Sequence, residues 1–189
     1  MNRLFSLAWF FILVSPVCSQ SNPETMDGKD QNEVSVVFMG NSIIQGWQQA
    51  DPGFFSNPKL INRGIGGQTT PQMLSRFEKD VVNINPKAVL ILAGTNDIAG
   101  NTGEITLTQI RDNIAEMARM AQNNNIQVIL CSVLPAFDYP WRPGRHPDEK
   151  IPALNELIRE LADAENLYYL DFFNTMADSR NGLPKELAD

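Results

Sequence analysis

The sequence predicts an α/β protein: a three-layer α/β/α sandwich around a five-stranded parallel sheet. Three observations carry this. Five short apolar runs occur at 34–39, 59–63, 88–93, 127–134 and 167–172. Amphipathic helical patterns stand between them, and such alternation is the mark of a parallel sheet. The first, third and fourth runs ("VSVVFM", "AVLILA", "QVILCSVL") are apolar on both faces and rich in Val, Ile and Leu. That composition fits interior strands covered by helices on both sides.

The elements follow in chain order. Arg3 gives a positive start, and 4–14 ("LFSLAWFFILV") carry no charge. Val17 and Ser19 stand at the small-residue positions of a cleavage site before Gln20. Residues 1–19 therefore read as a signal peptide, and the expected location is outside the cytoplasm, periplasmic or secreted. The apolar stretch is too short to span a bilayer. Lipid attachment at Cys18, giving an outer-membrane lipoprotein, is the alternative. Residues 20–32 are polar and pattern-free, the composition of a flexible leader. The domain proper is expected over 33–189.

After the second run, 70–82 ("TPQMLSRFEKDVV") form a helical pattern with Pro71 near its start, where proline is tolerated. From Thr106 a second helix is expected. Thr106 and Gln109 have capping-box spacing, Ile110, Ile114, Met117 and Ala121 make one stripe, and an Asn run stops it. From Asp148 a third helix places Ile151, Leu154, Leu157, Ile158 and Leu161 on one face. Pro152 fits only within its first turn.

Composition narrows the function. The length of 189 residues predicts one domain, and the net charge of −7 argues against nucleic acid or anionic membranes as partners. If Cys18 leaves with the signal, Cys131 stands alone, so neither a disulfide framework nor a Cys/His metal cluster is available. No cofactor or metal is implied.

In parallel sheets ligands sit at the carboxyl ends of the strands. There the chain reads Gly40-Asn41-Ser42, then "GIGGQTT" (64–70), "GTNDIAG" (94–100) and "PAFDYPWRPGRHP" (135–147). Singly these are ordinary. A serine after a strand is commonly a turn former or helix cap. The glycines could mark a tight turn or cradle a phosphate, but no Lys-Ser/Thr follows as a P-loop requires. Together, a serine, a glycine N–H and an asparagine amide are the parts of an acyl-transfer site, with the amides positioned to hold an oxyanion.

These blocks resemble those of the SGNH (GDSL-type) hydrolases. "GNSI" (40–43) stands where the family has Gly-Asp-Ser-Leu, "NRGIGGQTT" (62–70) is similar to its second block, and "GTND" (94–97) matches its third. Within the family the likeness is to platelet-activating-factor acetylhydrolase catalytic subunits and secreted bacterial acylhydrolases. The resemblance implies a flavodoxin-like sandwich and an ester hydrolase acting through an acyl-enzyme, with short acyl groups, those on glycans among them, as the expected substrate. It implies Ser42 as nucleophile, with the Ser42 N–H, the Gly67 N–H and the Asn96 side chain as oxyanion hole. Asn41 departs from the usual Asp, which is not the triad acid.

The family's base is a His three residues after an Asp, beyond the last strand. No Asp-x-x-His occurs here, and Asp189 ends the sequence. The reading is therefore a C-terminally incomplete domain without its last helix, with Asp189 as candidate triad acid. The single histidine, His146, has Pro143 three residues before it and is expected to be a loop residue or substrate contact. Asp138 shares that loop without a specified role. Trp141, within "WRPGR" (141–145), is a candidate sugar platform. Without its histidine such a site would lose up to about 10⁶ in kcat. A non-catalytic binder of glycan or acylated ligand on the same fold is the alternative.

Overall fold

The computed structural model describes residues 34–187. The expectations for 1–19, the 20–32 leader, Cys18 and Asp189 lie outside the described residues. Five parallel strands form one sheet: β1 (Val36–Gly40), β2 (Leu60–Gly64), β3 (Ala88–Leu92), β4 (Gln127–Cys131) and β5 (Tyr168–Leu170), in the order β2-β1-β3-β4-β5. The three runs that read as apolar on both faces are the three interior strands. β3 is buried along its whole length, whereas the edge strand β2 is half-buried throughout.

Six α-helical segments are seen among the described residues: α1 (Ser42–Ala50), α2 (Thr70–Asp80), α3 (Thr95–Ile98), α4 (Leu107–Gln122), α5 (Pro147–Ala164) and α6 (Phe172–Met176). Successive strand side chains point to opposite faces. Val37, Met39, Val89, Ile91, Val128 and Leu130 pack with the apolar stripes of α2, α4 and α5. Phe38, Leu90, Leu92 and Cys131 face the other way, onto Ile44 and Trp47 of α1. Trp47 stacks on Phe54 at 4.9 Å, and both meet Phe38 edge-on. Each fully buried large aliphatic or Phe side chain contributes about 1.5–3 kcal/mol, so the sandwich is held from both layers.

The capping box of α4 is present. The Gln109 N–H donates to Thr106 Oγ1 at 3.1 Å, and the Thr106 N–H donates to Gln109 Oε1 at 2.9 Å. Three expectations need correction. The fourth run leaves the ladder at Cys131, three residues early, and the fifth gives way to α6 at Phe172. Helix α1 was not foreseen, because "SIIQGWQQA" carries no charged residue and has Gly46 at its centre; packing of Ile44 and Trp47 against Phe38 supplies what propensity lacks. Pro152 lies beyond the first turn of α5, which begins at Pro147. A proline there leaves the carbonyl four residues back without its helical partner. That carbonyl belongs to Asp148, and Asn181 Nδ2 donates to it at 3.0 Å.

The chain leaves β1 towards β2 on one side, and leaves β3 towards β4 on the other. The reversal between these two neighbours opens a crevice at their carboxyl ends. Ser42 follows β1 there, and Asn96 follows β3.

Candidate active site

Ser42 is the first residue of α1. A side chain at Gly40 would sit 2.4 Å from Ile44, so only glycine lets the helix fold back this closely on its strand. The helix cap is Asn41, 1% exposed, whose Oδ1 accepts from the Ile43 N–H at 2.9 Å. Asn and Asp cap equally well, so the departure from Asp leaves the local geometry intact. With the cap supplied by its neighbour, Ser42 is solvent-exposed, and its hydroxyl has no hydrogen-bond partner among the described residues.

The loop from Ile65 to Thr70 lies against it; a side chain at Gly66 would come 3.9 Å from Ser42 Cβ. The amides of this loop can be followed one by one. The Ile65 N–H donates to Gly40 O at 3.1 Å, and the Gly66 N–H to Gln45 Oε1 at 2.8 Å. The Gln68 N–H reaches Ile65 O at 3.4 Å, the Thr69 N–H donates to Gln72 Oε1 at 3.1 Å, and the Thr70 N–H to the Asp97 carboxylate at 2.9 Å. Only the Gly67 N–H is without a partner among the described residues. Gly67 has φ +74°, a left-handed conformation that glycine adopts without strain. Gly67 is solvent-exposed, so its N–H faces water and is open to a ligand, while its neighbours' amides are held by the loop.

Asn96, in α3, is 6% exposed and donates from Nδ2 to Gln68 O at 2.9 Å. An amide nitrogen carries two hydrogens, so one remains. Two residues that the sequence reading passed over support the arrangement. Asp97 is buried; it accepts from the Thr70 N–H and, at 2.6 Å, from the Thr70 hydroxyl, which in turn accepts from Asn113 Nδ2 of α4 at 3.0 Å. Burial pushes the Asp97 carboxyl up to about 6, against the pull of the Thr70 hydrogen bonds. Arg76 of α2 donates to Gln68 Oε1 at 2.7 Å and to Arg63 O at 2.9 Å, and pairs with Asp80 at 2.7 Å. Asp97 stood inside the quoted "GTND" block, but no local signal named Thr70 as its partner. Nothing in the sequence singled out Arg76.

The loop after β4 borders the same edge. Tyr139 is buried, and its hydroxyl meets Thr95 Oγ1 at 2.6 Å, next to Asn96. Burial raises its phenol to about 12, so it stays protonated. Trp141 lies over the Tyr139 ring at 5.1 Å and is 63% exposed. Arg145 is paired with Glu104 and packs on Gly100. Asp138 Oδ1 accepts from the Tyr139 N–H at 2.7 Å. His146 is exposed, adopts φ 53° at the start of α5, and makes no hydrogen bond to Ser42, Gly67 or Asn96. The loop that carries Gly67 thus meets Ser42 through Gly66 and Asn96 through Gln68, and His146 bonds to none of these residues. A cavity of about 420 Å³ lined by Gln127, Val128, Leu167 and Tyr168 opens at the amino ends of β4 and β5, the edge opposite to Ser42.

An α/β/α sandwich that holds a free serine hydroxyl beside unspent amide donors, at the point where strand order reverses, has the architecture of the parallel-sheet acyl hydrolases. The chain belongs to the GDSL-like lipase/acylhydrolase family, whose model matches residues 38–189. It is 33% identical over 154 residues to platelet-activating factor acetylhydrolase IB subunit alpha1 of Bos taurus, covering 77% of this chain and 61% of that protein. It is 31% identical over 159 residues to the alpha2 subunit of Homo sapiens, covering 81% and 65%. The chain thus spans about three-fifths of the length of the curated relatives it matches. Among solved structures, a GDSL-like lipase from Bacteroides thetaiotaomicron superposes with a TM-score of 0.77 at 43% identity, over 80% of this chain and 75% of that one. An acetyl xylan esterase at 24% identity shares the fold, with a TM-score of 0.62 over 75% of this chain and 79% of that one.

Proposed function

We propose that this protein is a serine-dependent ester hydrolase that removes short acyl groups, acetyl foremost, through an acyl-enzyme. The observation that carries the reading is the Ser42 hydroxyl, without a hydrogen-bond partner among the described residues, lying against a loop in which only the Gly67 N–H likewise has none. In the proposed reaction Ser42 Oγ attacks the ester carbonyl carbon and passes its proton to a base. The carbonyl oxygen takes up negative charge, stabilised by the Gly67 N–H, the Ser42 N–H and the second Asn96 amide hydrogen. The C–O bond to the alcohol breaks, and the alcohol leaves with the proton. Water then repeats the attack on the acyl-serine and frees the acid.

His146 makes no hydrogen bond to Ser42, Gly67 or Asn96, so in this reading it is not the base. An acetylated glycan is the substrate we favour. Trp141, held on Tyr139 beside Asn96, offers a flat apolar face to a sugar ring, and the signal-like 1–19 stretch supports an exported enzyme.

The test is turnover of p-nitrophenyl acetate by the full-length protein, wild type against Ser42→Ala. The expected outcome is a loss of at least about 10⁴-fold in kcat, together with loss of the acylated Ser42 peptide in mass spectra of quenched reactions. Equal rates remove Ser42 from the mechanism. An inactive wild type that still binds acetylated oligosaccharide replaces the enzyme with a binding protein on this fold.

A further inference from the structure

We propose that Asn101 is a positioning residue for the oxyanion hole: it sets the Gly67 N–H relative to the Asn96 amide. The inference rests on the acyl-hydrolase reading above.

Asn101 bonds to both donor-bearing residues. Its Nδ2 donates to Gly67 O at 3.0 Å, and its backbone N–H donates to Asn96 O at 3.0 Å. The chain reaches this position because Gly100, at φ +73°, ends α3 and turns back, its N–H donating to Asp97 O at 2.9 Å. One residue further on, Thr102 Oγ1 meets Thr69 Oγ1 at 3.0 Å, so the turn and the loop run side by side.

The peptide that carries the donor runs from Gly66 to Gly67, and glycine on both sides leaves it free to rotate. Flanking contacts stop the rotation. Gln45 holds the Gly66 N–H on one side, and Asn101 holds the Gly67 carbonyl on the other, beside the longer Gln68 N–H contact with Ile65 O at 3.4 Å. Removing Asn101 leaves that second side held by the long contact alone. Oxyanion stabilisation depends on donors fixed before the charge develops, so loosening one slows the chemical step without weakening substrate binding.

The experiment uses the full-length protein and three variants. Asn101→Ala removes the amide. Asn101→Asp keeps its shape but puts an acceptor against the Gly67 carbonyl. Thr102→Val breaks only the neighbouring hydroxyl contact. Both Asn101 variants are expected to lower kcat for p-nitrophenyl acetate about 10-fold with KM within about twofold, less than loss of a donor itself. Both should weaken binding of methylboronic acid, which forms a tetrahedral adduct with the serine, by the same factor. Thr102→Val should match wild type in both. Unchanged kcat and boronate affinity in Asn101→Ala overturn the inference. So does a parallel fall of activity and Tm in all three variants, which would mark a purely structural turn. If the wild type turns over no ester, boronate affinity decides by the same comparison. If Ser42→Ala keeps full activity, or the wild type neither reacts nor binds boronate, the acyl-hydrolase reading fails, and this inference with it.

Discussion

The loops that follow β2 and β4 border the same edge of the sheet and are built in opposite ways. Between Ile65 and Thr70, every backbone N–H but that of Gly67 has a partner, drawn from β1, α1, α2 and α3. Beyond Leu134, between 135 and α5, the anchors to other segments are fewer: Tyr139 on Thr95, Arg145 on Glu104 and Arg180 over the Phe137 ring. Phe137 and Trp141 stand about half or more exposed. A group that meets developing charge must not move when the charge appears, so it is surrounded by bonds. A group that selects a substrate works by contact area at the rim, where a face on one buried tyrosine suffices. In the proposed reaction the first loop would set rate and the second specificity.

That division can be broken or sharpened at three points beyond Ser42. The largest effect is expected at Asn96. Asn96→Ala should lower kcat by about 10²–10³ with little change in KM, measured by steady-state kinetics on p-nitrophenyl acetate. A change confined to KM would move Asn96 to substrate binding. The second effect lies in stability. Burial raises the native Asp97 carboxyl to about 6, whereas in the unfolded chain it loses its proton near its ordinary value of 3.8. Between those values the native state binds more protons, so this group makes the protein less stable as pH rises. Wild type should lose about 2 kcal/mol relative to Asp97→Asn between pH 4 and pH 7. Denaturant unfolding of both proteins across that range checks it, and parallel pH curves would show that Asp97 does not titrate there. The smallest effect is at Trp141. Trp141→Ala should raise KM for an acetylated oligosaccharide by up to about 10-fold and leave p-nitrophenyl acetate kinetics unchanged. Equal effects on both substrates would put Trp141 in the rate-determining shell.

Much of the frame was legible in the sequence. The alternation of apolar runs named all five strands and, through composition, the three interior ones. The Thr106–Gln109 spacing named a cap that is present. Place after strands drew attention to Ser42, Asn96 and the glycines of 64–67, and the family resemblance picked out Gly67 among them. The supporting residues were not legible, because their partners lie far along the chain. Thr70 and Asp97 are 27 residues apart, Gly67 and Asn101 are 34, and Gly40 and Arg76 are 36. Helix α1 was missed for a related reason: its stability comes from Phe38, on a strand, and not from its own composition. His146 illustrates the converse. It was conspicuous as the single imidazole, yet the fold uses its backbone, in a left-handed conformation, to begin α5.

The layer architecture was written in adjacent residues, as burial periodicity, and the strand-end motifs marked where a site would lie. Only the tertiary structure decided which donors remain unspent. Whether the Gly67 N–H is free, whether Asn96 keeps a second hydrogen, and whether Asn181 can satisfy the carbonyl that Pro152 orphans all depend on hydrogen bonds between distant segments. Each donor and acceptor is settled once, by whatever the fold brings within 3 Å or so, and no local pattern records that.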